Sequence, residues 1–286
     1  MMKTKLQPFM RTAFLLLALF ASVISIFAHD FEVDGIYYLK NGTNATVTFK
    51  GAYFYDYKNE YTGSVTIPST VTYNSITYSV TAISDYAFRD CSDLTSVTIP
   101  NSVSYLGDYA FRNCSGLISV IIPNSVTEIK GGVFADCGGL TSVIIPNSVT
   151  SIGESSFYHC SSLTSLTIPN SVIVIGAHAF DGCSGLTNMT IPNSVTSIGE
   201  NPFLNCTGLT SIQVESDNTV YDSRDKCEAI IESYSNLMIS GCKNTKIPNS
   251  VTSIGDGAFY GYSGLTSIAI PNSVTTIGFS AFYKCI

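Results

Sequence analysis

The stretch that decides the fold reads Leu140-Thr-Ser-Val-Ile-Ile-Pro146-Asn-Ser-Val-Thr-Ser-Ile-Gly153-Glu-Ser-Ser-Phe157-Tyr-His-Cys160. Its apolar side chains fall at Leu140, Val143, Ile145, Val149, Ile152, Phe157 and Cys160. Val143 and Ile145 alternate with the two-residue period of a strand. Pro146 has no N–H to donate and ends the ladder, and Asn147-Ser148 supplies turn chemistry. Val149 and Ile152 begin a second short extended piece that closes at Gly153. Phe157 and Cys160, three apart, predict one helical or 3₁₀ turn.

The same phrase recurs along the chain. Cys91, Cys114, Cys137, Cys160, Cys183 and Cys206 are 23 residues apart, and Phe88, Phe111, Phe134, Phe157, Phe180 and Phe203 keep the same step. Ile-Pro occurs eight times, ending at prolines 68, 100, 123, 146, 169, 192, 248 and 271. Two intervals are longer. Pro68 to Pro100 spans 32 residues, with Tyr73–Thr81 reading as a hairpin extension, and Pro192 to Pro248 spans 56. A unit this small cannot bury its apolar face alone, and stacking on its neighbours completes the burial and the hydrogen bonding. The expected fold is a β-dominated α/β repeat protein, a solenoid of stacked 23-residue coils with short helical turns.

The repeated phrase Leu-Thr-Ser-Val-x-Ile-Pro-Asn-Ser-Val-Thr-x-Ile-Gly-x-x-Ala-Phe-x-x-Cys resembles the repeat of the BspA-like leucine-rich-repeat proteins, surface proteins of Bacteroidetes and some mucosal protozoa. The resemblance covers about residues 64–286. The block from Val220 through Cys227 to Cys242-Lys243 also resembles an element of that family. It implies a leucine-rich-repeat-type solenoid that adheres to host or microbial partners, and it supplies no signature binding residue. Departures from the pattern are Tyr262 in place of Cys, Pro202 in place of Ala and Lys130 in place of Gly.

The domain organisation follows. Lys3, Lys5 and Arg11 precede an apolar run from Ala13 to Phe27 that closes at the small residue Ala28. Residues 1–28 thus read as a secretory signal peptide. The run is short for a membrane span of about 20 residues, no basic stop-transfer patch follows it, and no membrane span is expected in the mature chain. Residues 29–64 are expected to form an N-terminal β-rich cap, with strands over Phe31–Leu39 and Thr46–Phe49 around Asn41-Gly42. Residues 65–286 form the solenoid, in which 213–246 is an irregular, hairpin-containing repeat. The chain stops mid-unit at Cys285-Ile286, which reads as a truncated C-terminus. The expected location is secreted or at the cell surface.

Composition narrows the chemistry. Of 286 residues 45% are apolar and 12% charged, against about 25% charged in an average domain. The formal net charge is -7, and after residue 28 there are 11 Lys+Arg against 21 Asp+Glu. No basic face is available to neutralise phosphates, so nucleic acid is not an expected partner. The chain has three histidines, no Trp, no nucleophile elbow, no His-Glu-x-x-His and no phosphate-cradling Gly loop. No catalytic residue, cofactor or metal site is expected. Glu215, Asp217, Asp222 and Asp225 read as a solvated acidic loop. His159 and His178 fall at unit positions held elsewhere by Asp, Asn, Gly, Ser or Tyr, and read as exposed loop residues.

The ladder cysteines read as buried thiols. Cys227 and Cys242 have two readings: a disulfide across a hairpin centred near Tyr234, or two reduced core thiols. The Asn row 101, 124, 147, 170, 193, 249 and 272 reads as a stacked amide ladder. Two faces are open to a partner. One is the outward strand row Thr98, Ile121, Ile144, Thr167, Thr190, Gln213 and Ala269. The other is the variable face beside the Phe–Cys turn, whose candidate partner-binding residues are Tyr86, Arg89, Tyr109, Arg112, Tyr158, His159, Tyr260 and Tyr283. Tyr and Arg are enriched at interface hot spots. The expected function is a non-catalytic adhesion or protein–protein interaction module binding extracellular-matrix proteins or other cells. The alternative is a glycan-binding or spacer region of a larger exported protein or enzyme.

Overall fold

The computed structural model describes residues 28–56 and 58–285; the signal peptide expected over residues 1–28 lies, except for Ala28, outside the described residues. The chain opens with β1 (Phe31–Val33), β2 (Ile36–Asn41) and β3 (Asn44–Thr48), an antiparallel meander. The sequence suggested one strand over Phe31–Leu39. The structure breaks it at Asp34-Gly35, where both residues have positive φ, 51° and 78°, the requirement of a type I′ hairpin turn. After β4 (Gly63–Thr66), β5 (Thr70–Tyr73) and β6 (Ile76–Ile83) form the expected hairpin extension, turning at Asn74-Ser75.

From there the chain coils, and each coil contributes to three walls. The strand wall begins with β4 and continues through parallel segments Leu94–Thr98, Ser119–Ile121 and Ser142–Ile144. After the coil of Thr164–Ile168 it resumes with Asn188–Ile191 and Ser211–Val214. The second wall is built from two-residue strands such as Glu128–Ile129, Ser151–Ile152, Val174–Ile175 and Ser197–Ile198. At its N-terminal end it is extended by Tyr105–Leu106, β6 and then β3, all parallel. A hairpin of Ala229–Glu232 with Leu237–Gly241 is spliced into this wall, and Leu237 and Met238 pair with Ser253 and Ile254 of the next coil.

The third wall holds the Phe-x-x-Cys segments, and here the expected helical turn is not formed. In the coil of Gly107–Cys114, the N–H groups of Ala110, Arg112 and Cys114 bond back three residues to Gly107, Tyr109 and Phe111. Those of Tyr109, Phe111 and Asn113 instead donate to Gly131, Val133 and Ala135 of the next coil. A helix would use every N–H within its own segment. Here alternate donors face outward along the stack, and the backbone must flip between them. Tyr109 and Asn113 accordingly sit at φ 56° and 60°, and left-handed residues recur at the same two positions in every coil.

Inside the three walls the ladder side chains stack. Phe88, Phe111, Phe134, Phe157, Phe180 and Phe203 are buried, with successive ring centroids 4.9–5.7 Å apart and planes within 17°. Tyr61 precedes Phe88 at 4.4 Å; its hydroxyl donates to Thr48 O at 2.6 Å and accepts the Tyr37 N–H, tying β2 and β3 to the stack.

The cysteines do more than fill space. The thiols of Cys114, Cys137, Cys160, Cys183 and Cys206 each donate to the carbonyl of the ladder Phe in the preceding coil, at 3.0–3.1 Å. Tyr262, standing where Cys is expected, is fully buried and directs its hydroxyl to Phe203 O at 3.4 Å. The donor is therefore kept where the thiol is lost. The expected asparagine ladder is replaced by a serine one. Ser148, Ser171 and Ser194 donate to Val126, Val149 and Val172 of the preceding coil at 2.6–2.7 Å, and Ser125 to Val103. The neighbouring asparagines of that row stay exposed.

Burial pushes these thiols above their ordinary range, Cys91 up to about 11 and Cys114, Cys160 and Cys206 well upward. A proton held more tightly in the folded state stabilises the fold below the unfolded thiol pKa of about 8.5, and that contribution is lost as pH rises towards the folded values. Urea midpoints are therefore expected to be level from pH 7 to about 8.5 and to fall steeply above it, as the unfolding free energy drops by about 1.4 kcal/mol per pH unit for each thiol ionised on unfolding. Flat midpoints across that alkaline range contradict this. Replacing Cys160 by Ala, which removes a buried sulfur and an inter-coil donor, is expected to cost about 1–3 kcal/mol in the same assay.

Candidate interaction surface

The third wall carries the side chains singled out from the sequence. Tyr86 and Tyr109 occupy the first left-handed position of their coils, as do Gly132, Ser155, His178, Asn201, Gly257 and Ser280. His159 occupies the second, in register with Asp90, Asn113, Asp136, Gly182, Asn205, Gly261 and Lys284. Positive φ favours Gly, Asn, Asp and His, which explains most of the composition of both rows. Arg89, Arg112, Tyr158, Tyr260 and Tyr283 share the position after the ladder Phe.

These residues are grouped rather than freely solvated. Tyr86 and Tyr109 stack at 5.4 Å with planes 5° apart, and Phe54 stacks on Tyr86 at 4.2 Å. The Arg89 guanidinium lies 4.6 Å from the Phe54 centroid, and that of Arg112 lies 5.6 Å from Tyr109. Arg112 Nε also donates to Asp136 Oδ2 at 3.2 Å, and His159 Nδ1 is 3.5 Å from the other carboxylate oxygen. Tyr158 stacks on His159 at 3.9 Å. Beyond two intervening coils of this wall Tyr260 and Tyr283 form a separate pair beneath Lys284. Of the eight candidates only His159 and Tyr283 are exposed; the other six are half-buried by these mutual contacts. His178 is likewise half-buried, with Nδ1 3.4 Å from the buried carboxylate of Asp181.

The structure thus brings Tyr86, Arg89, Tyr109, Arg112, Tyr158 and His159 onto one continuous face and leaves Tyr260 and Tyr283 apart from them. Sequence reading missed Phe54, although the run Tyr53-Phe54-Tyr55 marks it, and missed Asp136, the anion that joins Arg112 to His159. On the strand wall, Ile118, Ile121 and Ile144 are exposed, and Ile121 and Ile144 are paired neighbours.

The hairpin forms and Tyr234 is at its exposed tip, yet Cys227 and Cys242 are unbridged. Ala229 pairs with Gly241, so the register sets Cys242 across from Glu228, whose carbonyl accepts its thiol at 3.3 Å, while Cys227 lies one position beyond. Burial raises both thiols, Cys227 to about 11. The acidic loop is also more ordered than expected. Burial alone raises the Asp222 carboxyl, but donors from Arg224 and Ser233 outweigh it and lower its pKa. Among the described residues no group of His, Cys, Asp and Glu gathers as metal ligands, and no helix is long and apolar enough to cross a membrane.

Stacked parallel coils with Phe, Cys and Ser ladders define a leucine-rich-repeat solenoid. The model of the BspA type leucine rich repeat region matches residues 51–162, 127–227 and 229–286, and the chain belongs to that family. A leucine rich cell surface protein from Faecalibacterium prausnitzii is 30% identical, with TM-score 0.66 over 88% of this chain and 73% of that one. The pneumococcal vaccine antigen PcpA shares the fold at 22% identity, TM-score 0.67, over 92% of this chain and 69% of that one. A leucine-rich repeat protein from Eubacterium ventriosum shares it at 24% identity, TM-score 0.61, over 88% of this chain and 62% of that one. No curated protein matches the chain.

The left-handed rows give a local test. Gly132 has φ 59°, and a Cβ there runs into the ring of Tyr109. Gly132→Ala is expected to destabilise by about 1–2 kcal/mol, since both the φ and the contact oppose it. Gly138→Ala, where the nearest atom is 3.6 Å away, is expected to leave the thermal midpoint within about 1 °C. Equal effects of the two contradict the assignment.

Proposed function

We propose that this chain is a non-catalytic adhesion or protein-interaction module that works at the cell surface or secreted, and that its partner docks on the face of Tyr86, Arg89, Tyr109 and Arg112. The family supports the broad class, an interaction or cell-surface module built from leucine-rich repeats. The observation that carries the finer reading is the ordered aromatic–arginine stripe Phe54–Tyr86–Tyr109 with its two guanidinium groups. Rings and guanidinium groups held in place before binding lose little conformational freedom on contact, and Tyr and Arg supply much of the energy at interfaces. Residues 29–64 act as the cap that shields the first coil, and residues 1–28 direct export. Extracellular-matrix proteins and other cells are the proposed partners. A glycan-binding or spacer role within a larger exported protein is the second reading, supported by the long uncharged strand wall.

The test is saturable binding of the soluble chain to cells and to immobilised matrix proteins, competed by free chain. Tyr86→Ser with Tyr109→Ser is a fair variant, because Ser already occupies the same position at Ser155 and Ser280. Loss of two interface tyrosines is expected to weaken binding at least about tenfold while the fold is kept. Unchanged binding by that variant, or no saturable binding to any matrix protein or cell, overturns the proposal.

A further inference from the structure

Most cations in this acidic chain are committed to a partner. Arg89, Arg112, Lys130 and Arg224 are in ion pairs, and Lys40, Lys50 and Lys284 lie over aromatic rings. Lys226, Lys243 and Lys246 are different. They converge on one shallow concavity of about 470 Å³, lined also by Glu228, Asn244 and Thr245. Among the described residues none of the three forms an ion pair.

The irregular repeat builds this convergence. Lys226 is turned outward at φ 54° beside Ser211–Val214. The Lys246 N–H donates to Cys227 O at 3.0 Å and that of Lys243 to Leu209 O at 3.2 Å, which lays Lys243–Lys246 alongside. Lys246 stands two residues before Pro248, the place Thr98, Thr167 and Thr190 take before their own prolines, so it continues the outward row of the strand wall. Glu228 turns its carboxylate into the wall, accepting from the Ser211 hydroxyl at 2.6 Å and the Ile212 N–H at 3.1 Å, and offsets one of the three ammonium charges, so the concavity stays positive. Leading up to the lysines, the wall presents Thr167, Thr190 and Gln213, neutral hydrogen-bonding groups without charge.

We infer that Lys226, Lys243 and Lys246 form an anchoring site for a linear sulfated polysaccharide, whose sugar hydroxyls lie along the neutral Thr/Gln row. An ammonium offers three donors to the three free oxygens of a sulfate ester. A nucleic-acid duplex carries a charge about every 1.7 Å and needs a broad basic face, which three lysines on a chain of excess negative charge do not provide. A flexible single chain meets the three lysines and leaves the rest of its length on uncharged wall. The site stands apart from the aromatic stripe, so its failure leaves the reading of that face untouched.

The experiment is binding to heparin, with Lys226→Gln, Lys243→Gln and Lys246→Gln combined and Lys284→Gln as control. The native chain is expected to bind with a slope of log affinity against log salt of about −2 to −3, as three charge contacts require. The triple variant is expected to bind at least about tenfold more weakly, and the control as the native chain does. Protection of lysines from acetylation by heparin, read by mass spectrometry on the native chain, checks the site without any substitution; shielding of these three lysines and not of Lys58 supports it. Binding by the triple variant equal to native, no binding by the native chain, equal binding to duplex DNA, or displacement by inorganic sulfate beyond that by chloride at the same ionic strength each overturns the proposal.

Discussion

The structure depends on one arrangement of backbone donors. In the wall that carries Phe and Cys, every second N–H leaves its own coil and bonds to the next. A coil taken alone has half of these donors unanswered, and an unpaired buried N–H costs roughly as much as a lost hydrogen bond. The neighbour is thus required by hydrogen bonding as well as by burial of apolar surface. The irregular repeat is the exception: of the three outward donors in its coil, Asn205 N–H passes directly to Tyr260 O, and the Tyr262 hydroxyl reaches back to Phe203 O. The hairpin of residues 229–241 also enters this wall, where Gly241 N–H donates to Ala258 O and takes the acceptor that the ladder offers elsewhere to the Phe of the preceding coil.

That arrangement also shapes the surface. Alternating the donors forces two residues per coil into the left-handed region, and the side chains there line the outer face of the wall where the residue is not Gly. The variety at Tyr86, Tyr109, Ser155, His178 and at Asp90, Asn113, Asp136, His159 is variety within a backbone constraint. Tyr86 and Tyr109 stand out because an aromatic residue is a poor choice for positive φ. Their stacking on each other and on Phe54, under Arg89 and Arg112, offsets that cost. A strained, mutually stacked group of side chains on a monotonous solenoid is where strain and recognition tend to coincide.

Periodicity made most of the fold legible. The 23-residue step of Phe, Cys and Ile-Pro predicted stacked coils, their strands and their core residues, because burial follows spacing directly. Hydrogen-bond direction was not legible. Phe157 and Cys160 three apart fit a helical turn and the observed alternating turn equally well, and only the Asp, Asn and Gly preference at the left-handed rows separates them. The Asn row was misread because Asn147 and Ser148 are both turn residues, and the sequence does not say which side chain reaches the preceding coil. The residues of the candidate face were legible one by one, as the variable positions beside the Phe–Cys turn. Its cohesion was hidden, since Phe54 lies outside the repeat and Asp136 differs little from its neighbours in the row. The cysteine spacing around Tyr234 suggested a facing pair, but a register one residue off separates two thiols as surely as a long distance does.

The central claim is that amides of the turn wall are held by the neighbouring coil. Residue-resolved hydrogen exchange tests it most directly. Tyr109, Phe111 and Asn113, which donate to the next coil, are expected to exchange as slowly as Ala110, Arg112 and Cys114, which bond within their own, because both sets open only when the stack comes apart. Exchange of the first three amides orders of magnitude faster than the second three contradicts the account and reduces the wall to a row of independent turns.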